Sequence, residues 1–276
     1  MTDGALSGAR TIWELIDRRA DASPDRAMLI DEADRRVTFG EFRDRAERVA
    51  AGLHATGIGE GTPVSWQLPT GIDTVVLSAA LCRLGAVQNP IIHLYREREV
   101  GFALRQTGAQ AFFIPGMWRG FDYPALAARV AADLPDPPAV VTVDSGLPEG
   151  DPAPLPPPPP GLSAGDAPVR WIYYTSGSTA DPKGVCHTDQ SLIAGGWGLA
   201  VALDMSPDDV GSIAFPYAHI GGPDYLVTML SLGFPAVLIE AFSPPEVLPV
   251  LRRHGVTMVG GSTAFYLAFL AEQRTT

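Results

Sequence analysis

Apolar runs short enough for strands alternate with amphipathic stretches long enough for helices along nearly the whole chain. Strand patterns are expected at Pro63–Leu68, Ala111–Ile114, Val140–Val143, Arg170–Tyr174, Gly211–Phe215, Ala236–Ile239 and Val256–Val259. Helical patterns are expected at Ile72–Leu84, Glu97–Thr107, Pro124–Ala132, Asp189–Leu203, Pro223–Leu232, Pro244–His254 and Ala264–Gln273. Capping-box spacing from Thr11 to Glu14 and from Thr38 to Glu41 opens two earlier helices, running to about Arg19 and Ala55. Between them, Ala27–Ile30 and Arg36–Phe39 read as a hairpin around Asp31–Asp34. Strands that alternate with helices imply an α/β fold whose parallel-sheet subdomains are covered by helices.

At 276 residues and 46% hydrophobic, the chain has material for a substantial core. One segment breaks the pattern. Gly146 to Pro168 is low in complexity and holds an unbroken proline run, Pro156–Pro160, which favours stiff polyproline II. The run reads as a rigid connector or as a ligand for an SH3-type domain, and the connector is the simpler reading. It divides the sequence into an expected N-terminal α/β subdomain (1–150), a linker (151–168) and a second α/β subdomain (169–276).

The net charge of -11 argues against nucleic acid or an anionic membrane as partner. Cys82 and Cys186 are too few for a metal framework and fit a reducing compartment. The start, MTDGALSGAR, has no hydrophobic signal core, and the uncharged run Tyr225–Ile239 is too short to span a bilayer. A cytoplasmic protein without a membrane span is expected.

Chemistry concentrates in Trp171–Val185, WIYYTSGSTADPKGV. An apolar strand leads into Thr175-Ser176-Gly177-Ser178-Thr179, four hydroxyls around one glycine, and then into Asp181-Pro182-Lys183-Gly184, a turn carrying a cation. Glycine lets backbone N–H groups approach an anion, hydroxyls donate, and the ammonium of Lys183 adds a point charge. A polyphosphate suits such a loop. A plain Ser/Thr/Gly connection with a surface lysine is the alternative. The P-loop pattern G-x-x-x-x-G-K-[ST] is not met, because Lys183 precedes Gly184 and no Ser or Thr follows.

TSGSTADPKGV resembles the signature phosphate loop of the adenylate-forming superfamily, [ST]-S-G-[ST]-T-G-x-P-K-G. Ser178 stands where threonine is commoner, and Ala180 where the pattern has glycine. Other segments resemble the family in its order: Val37-Thr38-Phe39, Gly57–Val64, Leu84–Pro90, Phe215–Gly222 ("PxxHxxG") and Ser262-Thr263. Asn89–Tyr123 is spelled most like acyl-CoA ligases of the cyclohexanecarboxylate or medium-chain kind. The family's later motifs, its metal-binding Glu and its C-terminal catalytic Lys are not reached by Thr276. The resemblance therefore implies the N-terminal part of such an enzyme, truncated relative to members about twice as long, with a C-terminal half supplied separately or missing.

What the resemblance implies is activation of a carboxylic acid, fatty or alicyclic, by ATP with Mg²⁺, followed by transfer to coenzyme A. Thr175, Ser176, Gly177, Ser178, Thr179 and Lys183 match residues that hold ATP phosphates, with Thr175 the candidate for contact with Mg²⁺. His219, Gly221, Gly222 and Thr263 would border the acid. An acyl-AMP ligase, an amino-acid adenylation domain and a non-catalytic nucleotide-binding remnant are the alternatives. The isolated chain is expected to be inactive.

Two motifs are decoys. Gly161-Leu162-Ser163-Ala164-Gly165 matches the hydrolase elbow G-x-S-x-G but follows prolines rather than a strand. Gly57-Ile58-Gly59-Glu60-Gly61 follows a helix and leads into a strand, the reverse of a dinucleotide loop. The five histidines show no metal-ligand spacing.

Overall fold

The computed structural model describes residues 8–175 and 182–274. Two sheets organise it. The first has six strands in the order β10-β9-β4-β3-β5-β8. These are β3 (Pro63–Trp66), β4 (Val87–Pro90), β5 (Ala111–Ile114), β8 (Ala139–Thr142), β9 (Trp171–Thr175) and β10 (Lys183–His187). All neighbours are parallel except β10, which runs antiparallel to β9. The second sheet, β13-β11-β12-β1-β2, comprises β1 (Ala27–Ile30), β2 (Arg36–Thr38), β11 (Gly211–Ile213), β12 (Ala236–Leu238) and β13 (Met258–Val259). Here only the β1–β2 hairpin is antiparallel. A short antiparallel pair, β6 (Met117–Trp118) and β7 (Phe121–Asp122), stands apart.

Side-chain alternation on the strands sorts the helices into layers. Phe112 and Ile114 of β5 pack with α4 (Glu97–Thr107) and α5 (Tyr123–Ala132) on the outside of the six-stranded sheet. Val237 of β12, with Ile239 just beyond it, packs with α8 (Pro244–Arg253) and α9 (Thr263–Gln273) on the outside of the other sheet. The intervening residues, Ala111, Phe113, Ala236 and Leu238, join one continuous core. To it α1 (Ile12–Ala22), α2 (Phe39–Ala55), α3 (Ile72–Leu84), α6 (Asp189–Ala202) and α7 (Gly221–Leu232) contribute. The order is helix, sheet, helix, sheet, helix.

Local chemistry explains the boundaries. The Thr11 hydroxyl accepts from Glu14 N–H, and Thr38 with Glu41 forms a complete capping box. Helices α3 and α4 end on Gly85 and Gly108, both left-handed, which glycine adopts without Cβ strain. Each sheet takes strands from both sides of residues 151–168, so the partition by sheets differs from a linear division at the proline run. Residues 154–168 contain no strand, and the Ser163 hydroxyl bonds to Asp166. The elbow geometry is not present there.

Buried polar side chains tie β9 to its surroundings. Asn89 Nδ2 donates to the Ile172 carbonyl at 2.9 Å, and Ser65 Oγ donates to Asn89 Oδ1 at 3.0 Å. Asp189, at the start of α6, accepts from Ile12 N–H at 3.1 Å and from Trp171 Nε1 at 3.0 Å. Burial raises its carboxyl against the lowering pull of those donors.

Candidate functional site

A cleft of about 1230 Å³ opens between the β9–β10 hairpin, helix α4 with the loop before it, and the turn leading into α7. Thr175 and Pro182, the described residues on either side of the Ser/Thr/Gly-rich segment, both line it, and so does His219. Ser176, Gly177, Ser178 and Thr179 lie outside the described residues.

Hairpin register decides which side chains share a face. Thr175 pairs with Lys183, Tyr173 with Val185, and Trp171 with His187, and directly paired residues point the same way. Tyr173, Thr175, Val185 and His187 line the cleft, as does Tyr174 from the other face of the ribbon, and Lys183 shares the face of Thr175. Lys183 begins a strand rather than sitting within a turn, which corrects the sequence expectation. Its side chain is exposed at the rim and is not part of the lining.

His219 is exposed on the cleft, and partial desolvation by its neighbours lowers its pKa. Its Nδ1 accepts from Gly221 N–H at 3.2 Å, which leaves the proton of the neutral ring on Nε2. Gly222 makes room for the chain itself. A Cβ at Gly222 would lie 2.0 Å from the Tyr217 carbonyl oxygen, so this glycine admits backbone rather than a ligand. Neither Gly221 nor Gly222 lines the cleft. Thr263 opens α9, is exposed, and also lies off the cleft.

Sequence reasoning missed Tyr174 and the α4 wall that it meets. Tyr174 donates to Gln106 Oε1 at 2.6 Å and meets Phe102 edge-on at 5.9 Å, which ties the hairpin to α4. Burial pushes the Tyr174 phenol up to about 12, so it stays a neutral donor. Arg96 bonds the carbonyls of His93 and Tyr95 at 2.8 Å each and lies 3.9 Å over the Phe121 ring. Arg98 and Arg105, seven residues apart on one helical face, border the opening. The periodicity of α4 carried that signal.

His187 sits edge-on to Tyr173 at 6.1 Å, its pKa lowered by burial. Among the described residues no group of three or more His, Cys, Asp or Glu side chains converges as a metal site.

The family model described as AMP-binding enzyme matches residues 16–276. The chain belongs to the AMP-binding enzyme family. Relatives in this family include the salicyl-AMP ligase / salicyl-S-ArCP synthetase of Mycobacterium tuberculosis, 29% identical over 278 residues, covering 92% of this chain and 47% of that protein. The medium-chain fatty-acid–CoA ligase of Escherichia coli is 25% identical, covering 94% of this chain and 47% of its own length. The O-succinylbenzoate coenzyme A synthetase of Bacillus subtilis, in a structure with ATP and magnesium ion, superposes with a TM-score of 0.80 at 24% identity. That match covers 94% of this chain and 51% of the other. The chain thus spans about half the length of the curated relatives it matches. No helix among the described residues is long and apolar enough to cross a membrane.

Proposed function

We propose that this chain is the MgATP- and acid-binding part of an AMP-forming carboxylate–CoA ligase acting on a fatty or alicyclic acid. The observation that carries the reading is one cleft lined both by the two ends of the phosphate-loop segment and by His219. An acid carboxylate oxygen attacks the α-phosphorus of MgATP, the bond from α-phosphorus to the bridging oxygen breaks, and pyrophosphate leaves. Coenzyme A thiolate then attacks the acyl carbon and AMP departs.

In this reading the chain brings together two anions that repel each other and neutralises the leaving pyrophosphate. Thr175, Ser176, Gly177, Ser178, Thr179 and Lys183 hold the β- and γ-phosphates. Neutral His219 borders the acid without adding a competing charge. The net charge of -11 repels nucleotide at long range, so attraction must come from these local donors and the accompanying magnesium. Cys82 and Cys186, both free, fit a cytoplasmic setting.

A second reading ends at the adenylate or passes the acyl group to a carrier-protein thiol. The salicyl-AMP ligase / salicyl-S-ArCP synthetase among the relatives favours it. Titration with MgATP tests the nucleotide site. Lys183→Ala should weaken binding about tenfold or more, the value of one charge-assisted hydrogen bond. Unchanged affinity removes the loop assignment. The chain alone is expected to show no carboxylate-dependent pyrophosphate exchange, and robust exchange would mean that this half suffices.

A further inference from the structure

We propose that Gln106 is a positioning residue: through Tyr174 it holds the β9–β10 hairpin against α4 and so fixes where a bound nucleotide meets Thr175 and Lys183. The inference rests on the MgATP-binding reading above and names a residue on which that site depends without being touched by it.

Construction comes first. The hairpin lies at the edge of the six-stranded sheet, and among the described residues β10 pairs only with β9. From Lys183 to Cys186 that outer strand is exposed. A strand paired on one side and open on the other is among the first parts of a sheet to loosen. What lies against the ribbon is the last turn of α4. Tyr174 donates to Gln106 Oε1 at 2.6 Å, among the described residues the one hydrogen bond between the hairpin and α4. Phe102, one turn earlier on the same helical face as Gln106, meets the Tyr174 ring edge-on. Gly184, the cross-strand partner of Tyr174, completes the seat. A Cβ there would stand 3.3 Å from Gln106 Oε1 and 3.4 Å from the Tyr174 ring, so amide and ring close over bare backbone.

The consequence for the cleft comes second. Gln106 does not line it, whereas Phe102 and Arg105 of the same helix and Tyr174 and Thr175 of the hairpin do. The bond therefore sets the width between two walls rather than adding to either. Lys183 moves with Thr175, because the two are paired. Burial holds the Tyr174 phenol neutral, its pKa pushed up to about 12, so the donor persists at working pH. The bond itself is exposed, so its loss should free the hairpin while taking little from the fold as a whole.

The test compares wild type with Gln106→Ala, Gln106→Glu, Tyr174→Phe and the double variant Gln106→Ala/Tyr174→Phe at pH 8. MgATP affinity is read by calorimetry, exposure of the Lys183–His187 amides by hydrogen–deuterium exchange, and global stability by urea unfolding. Gln106→Ala should weaken MgATP about fivefold, the worth of one neutral hydrogen bond, speed exchange in β10 and leave the urea midpoint unmoved. Gln106→Glu should restore affinity and protection, because an ionised carboxylate still accepts from the phenol. Tyr174→Phe should match Gln106→Ala, and the double variant should lose no more than either alone. Wild-type affinity in Gln106→Ala overturns the proposal. So does failure of Gln106→Glu to restore binding, additive losses in the double variant, or a urea midpoint that falls along with the affinity. If wild type itself does not bind MgATP, the nucleotide reading falls. Exchange in β10 that still rises in Gln106→Ala and recovers in Gln106→Glu then keeps Gln106 as the anchor of the hairpin, and unchanged exchange removes that too.

Discussion

Helices α3 and α6 are written in the same idiom and meet different fates. Both are apolar on every side, so neither has a marked solvent face in its sequence. In α3, Ile72 and every residue from Thr74 to Leu84 are buried, because the helix contributes to the middle layer between the two sheets. In α6 only Asp189, Leu192, Gly196 and Ala200 are buried, and Gly196 lets α7 approach closely. Its other side leaves Trp197 39% and Val201 68% exposed. Apolar composition says that a helix wants cover; only the packing says how much it has.

The sharpest way to break this comparison is to shorten one side chain on each helix. Leu77→Ala in α3 should cost about 2–5 kcal/mol in a urea unfolding curve, as expected for a fully buried leucine. A loss below about 1 kcal/mol would mean that the middle layer is loosely packed.

The seam between α6 and α7 gives an intermediate effect with a definite sign. Because burial raises the folded pKa of Asp224 to about 6, its ionised form destabilises the fold above that pH. The cost is absent below the unfolded value near 3.8 and grows as pH rises through 6. Asp224→Asn should therefore stabilise the chain at pH 8 by about 1 kcal/mol, after discounting for partial exposure, and leave stability unchanged at pH 3.5. A destabilised variant at pH 8 would mean that the carboxylate already has a partner.

Smallest of all, Val201→Ser on the outer face of α6 should change stability by less than about 0.5 kcal/mol while reducing the binding of a hydrophobic dye. A penalty like that of Leu77→Ala would show this face to be covered in solution.

Much of the fold was legible because it is local. The spacing of Thr38 and Glu41, and the glycines at 85 and 108, set helix ends that match α2, α3 and α4 closely. Strand β4 was not legible. Val87-Gln88-Asn89-Pro90 has little strand propensity, and it is held by backbone pairing to β3 and by the buried bonds of Gln88 and Asn89. Strand β10 looked like a turn because, among the described residues, its only partner is β9. The same limit applied to the site. His219 could be placed on the cleft from its motif, whereas Gly222 reads as space in a sequence and is filled by the Tyr217 backbone. Tyr174 and Gln106 meet across 68 positions, a relation that no short pattern records.

The register of the β9–β10 ribbon has a consequence for engineering. Thr175 and Lys183 are paired across the ribbon, so the hydroxyl and the ammonium stand on fixed piers at the two ends of the span that joins them. Substitutions within that span would change its donors while the ribbon pairing continues to frame it, whereas insertions or deletions would put the register itself at stake.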